Sequence, residues 1–524
     1  MNYLIIMGFS LLPTLLILVF KLALLRRVGP DIYGSDSHFY ILQTDLIRQS
    51  NRHVLRSCPV FIGSQNFANP FLLQWLASFL SSEHLECWQA YVPIFFKSIT
   101  TYVLSLTAGV SFYVIYHTGL LEANAAALLA GILYGFSPIN RNANPDNLSD
   151  FTFSPRSLGT LLASLSCITV VTGIVLNSIV LYVLAIILIA LTCLGSKFAI
   201  QAVVFILAII FGILGAWLQV LIVPVGMLVA IIVSKGYYWH VLVQQIRHLK
   251  LYATKLAREN IPYVRSIFTT LDLPRAVWYL VTGRLRSLYW LIRCDVIFKG
   301  MAMYPVHLVC GVILIVYRNF WVENPWLYAL AVLWFASLVV FVITSLPWFK
   351  FIGEADRYLE FVGFLPATVL VSLWLINPDL SNSTVRLVVL LLLLTWYQLI
   401  GEASPPPIQT PSRDRKELWG FLSKLSQQNA RAVSIPLNDA PEFIYRTNIP
   451  CVWPFPLDAS TAHLIYKYPI PLLDFTYLDK HYDINYVVVR KRFLKVHEVQ
   501  KAVSPLSLVY ENAEHQVYKL AGKA

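Results

Sequence analysis

Charge is what this chain has least of. Only 13% of its 524 residues are charged, while 57% are hydrophobic and 14% aromatic; ordinary soluble domains run at about 25% charged and about 45–50% apolar. That shortage excludes a soluble enzyme, a disordered protein and a secreted disulfide scaffold. Acid is scarcer than base, with 28 Asp+Glu against 40 Lys+Arg and a formal net charge of +12. With a mean hydropathy of +0.64, the chain reads as a polytopic membrane protein. A basic excess suits an anionic partner. In a chain mostly inside the bilayer that partner is a phosphate-bearing lipid, so membrane lipids are expected partners and nucleic acid is not.

Other absences narrow the field. The seven cysteines show no CxxC and no Cys/His spacing for a metal. Three of them lie in apolar runs and read as small core residues. Cys58 and Cys87 share one long loop, where pairing is open but nothing in the spacing demands it. The segment Met1 to Leu25 has neither a basic amino-terminal region nor a small-residue cleavage site, which predicts a retained first span. No nucleotide loop, zinc spacing or nucleophile elbow occurs in the last 110 or so residues.

What the sequence does have is long apolar runs. A span needs about 20 such residues. About eleven candidates centre on 4–25, 91–116, 121–137, 157–176, 179–194, 199–215, 217–234, 302–319, 325–346, 361–377 and 384–402. The loops 26–90, 138–156, 235–300 and 347–360 and the tail are long or polar, while the alternate connections are a few residues each. Eleven spans then put every long segment on one membrane face. The expected organisation is a transmembrane domain over 1–403, a Pro-rich stiff linker over 404–412 and a small α/β domain over 413–524. In the last, Leu418, Phe421, Leu422 and Leu425 mark one helix face, and Ala432–Ile435, Ile484–Val489, Leu506–Tyr510 and Gln516–Leu520 are β-type runs.

Several constellations on that face can carry chemistry. Past the first span, Gly29-Pro30-Asp31-Ile32-Tyr33-Gly34 makes a turn, and Ser35 or Ser37 can cap the interfacial helix that follows. Asp36 then sits at a helix N-terminus that favours its ionised form. It is either a proton acceptor or merely part of the cap. In the second long loop, Asp146 and Asp150 are placed to hold a divalent cation (Mg or Mn) or are solvated turn residues. Ser154 at the cap, Pro155 at the first position and Arg156 beside them offer N–H groups and a guanidinium to an anion.

In the fourth loop, Glu354 and Arg357 share a helical face, as an internal ion pair or with Arg357 as a fork for a phosphate or a sugar hydroxyl array. Lys197, between two spans, either snorkels to the interface or binds phosphate. The loop 235–300 carries 11 Lys+Arg against 3 acids, interleaved with Tyr and Trp, and reads as a surface attracted to anionic headgroups.

Together these features resemble the GT-C class of integral-membrane glycosyltransferases, which use lipid-phosphate-linked sugars. The resemblance lies in the acidic motif after span one (Asp31, Asp36) and in Asn69-Pro70-Phe71-Leu72-Leu73-Gln74-Trp75 of the same loop. It extends to the one-sided loops, the carboxyl-terminal domain, and the run Gly353-Glu354-Ala355-Asp356-Arg357-Tyr358-Leu359-Glu360, which looks like that of bacterial polysaccharide-locus members. A clean Asp-x-Asp is absent: the two acids are five apart.

The resemblance implies a polyprenyl- or dolichyl-phosphate sugar donor, a glycan, polysaccharide or protein acceptor, and inversion at the anomeric carbon. Asp36 would be the base with Asp31 or His38 orienting it; Arg357, Arg156 and Lys197 would hold the donor phosphate, and Glu354, Asp356 and Tyr358 the substrate. Two rivals stand beside it: a transporter or flippase for lipid-linked saccharides, and a polysaccharide polymerase or ligase. Transporters usually show internal repeats and charged, interrupted mid-span helices, neither of which is clear here.

Orientation is where two arguments collide. The long-loop face carries 36 of the 40 Lys+Arg, which the positive-inside rule would make cytoplasmic. The resemblance places that face outside, on a bacterial inner membrane. The rule weakens for long loops and domains, and an enzyme of lipid phosphates needs cations where it works.

Overall fold

The computed structural model describes residues 2–29, 32, 34–58, 60–63, 68–137, 140, 151–254, 273–294, 300, 304–352, 355–377, 383–403, 411–455 and 460–520. Asp31, Asp146, Asp150 and Glu354 lie outside them, as does the side chain of Asp356.

Helices stand at all eleven expected positions. These are α1 (Asn2–Val28), α5 (Tyr91–Ile115), α6 (Leu120–Gly135), α7 (Arg156–Leu176), α8 (Ile179–Gly195), α9 (Lys197–Leu214), α10 (Ile222–Val233), α14 (Val306–Val316), α16 (Pro325–Ser345), α18 (Leu365–Ile376) and α19 (Ser383–Ala403). Among the described residues, five of them, α1, α5, α7, α9 and α16, are long and apolar enough to cross a membrane; the other six contribute apolar stretches of 10–17 residues. Between α1 and α5 lie α2 (Gly34–Gln49), β1 (Phe61–Ile62), α3 (Leu72–Ala77) and α4 (Ser82–Trp88). Further on come α11 (Tyr237–Thr254), α12 (Leu273–Val281), α13 (Leu285–Cys294), α15 (Arg318–Val322) and α17 (Asp356–Glu360).

Small residues set the closest helix contacts, as expected where lipid supplies no hydrophobic drive between helices. A Cβ on Gly131 of α6 would lie 2.5 Å from Pro13 Cγ of α1. A Cβ on Gly159 of α7 would lie 2.6 Å from Ser196 Cβ, so α9 can start hard against α7. Ser196 caps α9 by accepting from the Ala199 N–H, and that start carries Lys197. Deeper in, the buried ammoniums of Lys21 and Lys97 both donate to the Asn140 carbonyl, at 3.1 and 3.0 Å.

The carboxyl-terminal part adds α20 (Arg413–Ser426), β2 (Ala432–Ile435), α21 (Ala440–Thr447), β3 (Cys451–Val452), β4 (Ile465–Lys467), β5 (Ile470–Pro471), α22 (Phe475–Tyr482), β6 (Tyr486–Arg490), α23 (His497–Val503), β7 (Ser507–Glu511) and β8 (His515–Lys519). Its main sheet runs β1-β3-β2-β6-β8-β7, parallel from β1 to β6 and antiparallel beyond. One edge strand is therefore borrowed from the first long loop, with Phe61 opposite Cys451 and Ile62 opposite Val452. Phe39 and Leu42 of α2 enter the same core, where the Phe39 ring stacks on Phe61 at 5.6 Å. Loop and tail fold together, a contact that neither segment's pattern carries. Cys58 is buried in that core and Cys87 is exposed; both are free thiols, so the pairing left open above is not made.

Behind the sheet lies a buried charge network. Arg415 forks onto Glu442 at 2.6 and 2.5 Å, and Arg490 donates to Asp439 at 2.5 Å. His515 is fully buried beside them. Burial, reinforced by Arg490 and Arg415, pushes its imidazole down to about 3. Burial also pushes the Asp439 carboxyl up to about 6, against the pull of the two guanidiniums.

His515 therefore contributes stability that is complete above its ordinary value of 6.5 and is lost as pH falls towards 3. Asp439 acts in the opposite sense between 3.8 and 6, because its folded form holds the proton more tightly. His515→Gln removes the first contribution and keeps the second. Relative to wild type, the variant should gain about 1.4 kcal/mol per pH unit as pH falls through that window, read as hydrogen-exchange protection of β6 and β8. A difference that does not change with pH would refute the assignment.

Candidate functional site

Asp36 stands exposed in the first turn of α2. Ser37, one of the two hydroxyls expected to cap that helix, instead accepts from the Phe153 N–H at 2.9 Å. The helix start is thereby tied to the segment leading into α7. His38 is buried with its ring 5.8 Å from that of Tyr445 on α21. Tyr445 in turn donates to Glu86 of α4 at 2.5 Å, and Arg446 reaches the same carboxylate at 3.4 Å.

The phenol of Tyr40, one turn beyond Asp36, brings the separate constellations together. Burial first and the Asp36 carboxylate second hold it above its ordinary range, while the Arg357 guanidinium opposes them. An acid from the first long loop and a cation from the fourth thus act on one group. The Arg357 guanidinium lies 4.5 Å over the Phe198 ring, a cation–π contact. Phe198 follows Lys197, whose ammonium donates to Asn69 Oδ1 at 2.7 Å. The Asn69 carbonyl is held by the Tyr237 hydroxyl at 3.2 Å. Lys197 is therefore an anchored cation, not one that snorkels freely.

Two expected residues have other engagements. Arg156 donates through Nε to Glu360 Oε2 at 2.5 Å, and Glu360 is buried. The guanidinium expected at a phosphate is thus matched by a carboxylate on α17, the short helix that also carries Arg357. Pro155 occupies the cap position of α7 with no side-chain cap bond, so Ser154 does not cap that helix. Tyr358 is buried, its ring 6.2 Å from Phe205 and its hydroxyl donating to the Ile352 carbonyl at 3.4 Å. Its side chain packs α17 against α9. Among the described residues no group of three or more His, Cys, Asp or Glu is placed to hold a metal.

Glu360 closes the densest charge cluster between two spans, and its sequence position alone does not reveal Arg156 as its partner. Breaking a buried pair by removing one partner strands the other charge, at about 3 kcal/mol. Glu360→Ala should lower the thermal midpoint of the purified protein clearly, whereas Arg156→Met with Glu360→Met should recover most of the loss. Equal midpoints for wild type and the single variant would show that the pair does not anchor α17.

No protein-family profile matches the chain, and no curated protein does. Solved structures do. The oligosaccharyltransferase of Archaeoglobus fulgidus, tethered to an acceptor peptide, is 12% identical with a TM-score of 0.55 over 96% of this chain and 74% of that one. Its apo form gives 0.57 over the same shares. ArnT of Cupriavidus metallidurans, bound to undecaprenyl phosphate, is 13% identical with a TM-score of 0.51 over 97% and 98%. The chain has the GT-C fold, carried by a multi-pass membrane protein with a carboxyl-terminal sheet domain.

Proposed function

We propose that this protein is an inverting glycosyltransferase that moves a sugar from a polyprenyl- or dolichyl-phosphate donor to a lipid-linked glycan, polysaccharide or protein acceptor. The observation that carries the reading is the convergence of Asp36 and Arg357 on Tyr40, with Lys197 beside the ring on which Arg357 rests. An exposed carboxylate next to anchored cations suits this chemistry. Asp36 accepts the proton of the acceptor nucleophile as it attacks the anomeric carbon. The bond from that carbon to the phosphate oxygen breaks on the opposite face, and its electron pair leaves with the phosphate. That leaving group needs no protonation, so cationic stabilisation by Lys197 and Arg357 suffices.

Asp31 and His38 are the candidates for orienting Asp36, and Glu354 and Asp356 for the sugar. Arg156 acts through Glu360 and α17. Asp146 and Asp150 remain the candidate ligands of a divalent cation. The bound undecaprenyl phosphate of ArnT supports a lipid-phosphate partner; the working face is proposed to be extracytoplasmic, on a bacterial inner membrane, as the sequence resemblance implies. The test uses purified protein with a polyprenyl-phosphate hexose: release of polyprenyl phosphate and an inverted anomeric product are expected. Passage of the lipid-linked sugar across a vesicle bilayer with its sugar–phosphate bond intact would favour the transporter instead.

A further inference from the structure

The helix that carries Asp36 is held by the tail. Along α2, His38, Ile41, Asp45 and Arg48 are spaced by three and four and so form one stripe. Two elements lie against it. From α4, the Ser82 hydroxyl donates to Asp45 Oδ1 at 3.0 Å and accepts from Arg48 at 2.6 Å, and Arg48 also pairs with Asp45. From α21, the Tyr445 ring stands 5.8 Å from that of His38. It packs there in one apolar cluster with Ile41, with Leu85 of α4 and with Phe153. Glu86 of α4 closes the triangle, accepting from the Tyr445 hydroxyl at 2.5 Å and from Arg446 at 3.4 Å. Behind α21 the tie runs on into the tail. The Arg446 guanidinium lies 5.2 Å over the Trp419 ring of α20, and the Trp419 indole donates at 3.1 Å to Glu442, the carboxylate on which Arg415 forks.

We propose that Tyr445 and Arg446 are positioning residues for Asp36, with Glu86 as the shared anchor through which the carboxyl-terminal domain sets the roll of α2; the role rests on the reading of Asp36 as the base. Ser37 pins the start of α2 by accepting from the Phe153 N–H, but a helix pinned at one point still turns about its axis. Side chains reach about 5–6 Å from that axis, so a roll of about 10° carries the Asp36 carboxylate about 1 Å. A misplacement of that size costs up to about 100-fold in rate. Stability is a weak reason for the arrangement. The Glu86 and Arg446 side chains are 43% and 26% exposed, and ion pairs open to water contribute little. Direction is what the arrangement supplies: a phenol bonded to a carboxylate is short and oriented, and the two ties from α21 meet on one acceptor.

The test is a double-mutant cycle on full-length protein, read as polyprenyl phosphate released from a polyprenyl-phosphate hexose. Tyr445→Phe keeps the ring in its cluster and loses only the hydroxyl, and the half-exposed Glu86 keeps Arg446 and water. Turnover should fall about 10- to 100-fold, with the donor KM unchanged and hydrogen exchange of the α2 amides quickened. In the Asp36→Asn background the same substitution should cost nothing further, because the placement of an absent base has no effect. A structural loss would multiply in both backgrounds, and that result overturns the proposal, as does wild-type turnover in Tyr445→Phe. Glu86→Gln leaves an amide oxygen for the Tyr445 hydroxyl and should retain most of the activity that Glu86→Ala loses; equal losses in the two overturn Glu86 as the anchor. Wild-type turnover in Asp36→Asn is a separate failure. It removes the base reading, and the positioning role with it, even where quickened α2 exchange in Tyr445→Phe shows that the tie itself holds.

Discussion

Asp36→Asn should leave the protein folded and reduce sugar transfer by a factor of about 100 to 10,000, the usual worth of a positioned general base. The substitution preserves shape but removes the negative charge and, with it, the ability to take a proton. Asp36 is exposed, so the thermal midpoint should stay close to the wild-type value. The loss should fall on turnover and leave the donor KM unchanged, since the carboxylate is needed when the acceptor's proton moves and not when the lipid phosphate docks. Polyprenyl phosphate released per enzyme from a polyprenyl-phosphate hexose is the measurement. Wild-type turnover in this variant would remove Asp36 from the mechanism and pass the role to Asp31.

Helix positions were legible because the signal is local: twenty apolar residues between polar loops announce themselves, and helices stand at all eleven expected places. The expected strands of the tail appear for the same reason, with Ala432–Ile435 matched at both ends. What escaped was every contact made across the chain. Nothing in Phe61 and Ile62 says that they will pair with Cys451 and Val452, some 390 residues away, because a two-residue strand has no period to read. Glu360 looked like one more acid in a cluster until the fold set Arg156 against it. An aromatic such as Phe198 beside a lysine at a span end is common; only the approach of Arg357 gives it meaning. Asn69 lay inside a recognised stretch with no role, since an amide's worth depends on which ammonium arrives.

Arg357→Gln should cut turnover by about 100- to 1,000-fold, the scale seen when one preorganised stabiliser of developing charge is removed. The lipid-linked sugar phosphate carries one negative charge in the ground state and gains a second as the sugar departs. A cation at that oxygen therefore binds the transition state more tightly than the donor, and its loss appears in kcat more than in KM. Arg357→Lys should recover little of the activity. The guanidinium lies 4.5 Å over the Phe198 ring, a contact that a compact ammonium on a flexible stem does not reproduce. Phe198→Leu keeps the charge but removes the ring beneath it, and should fall between the two. Lys197→Gln should resemble Arg357→Gln, and the pair of substitutions together should cost less than the product of the single losses, because both act on one leaving phosphate. A rise in donor KM with kcat untouched in Arg357→Gln would show that this arginine holds the lipid phosphate only before the bond breaks.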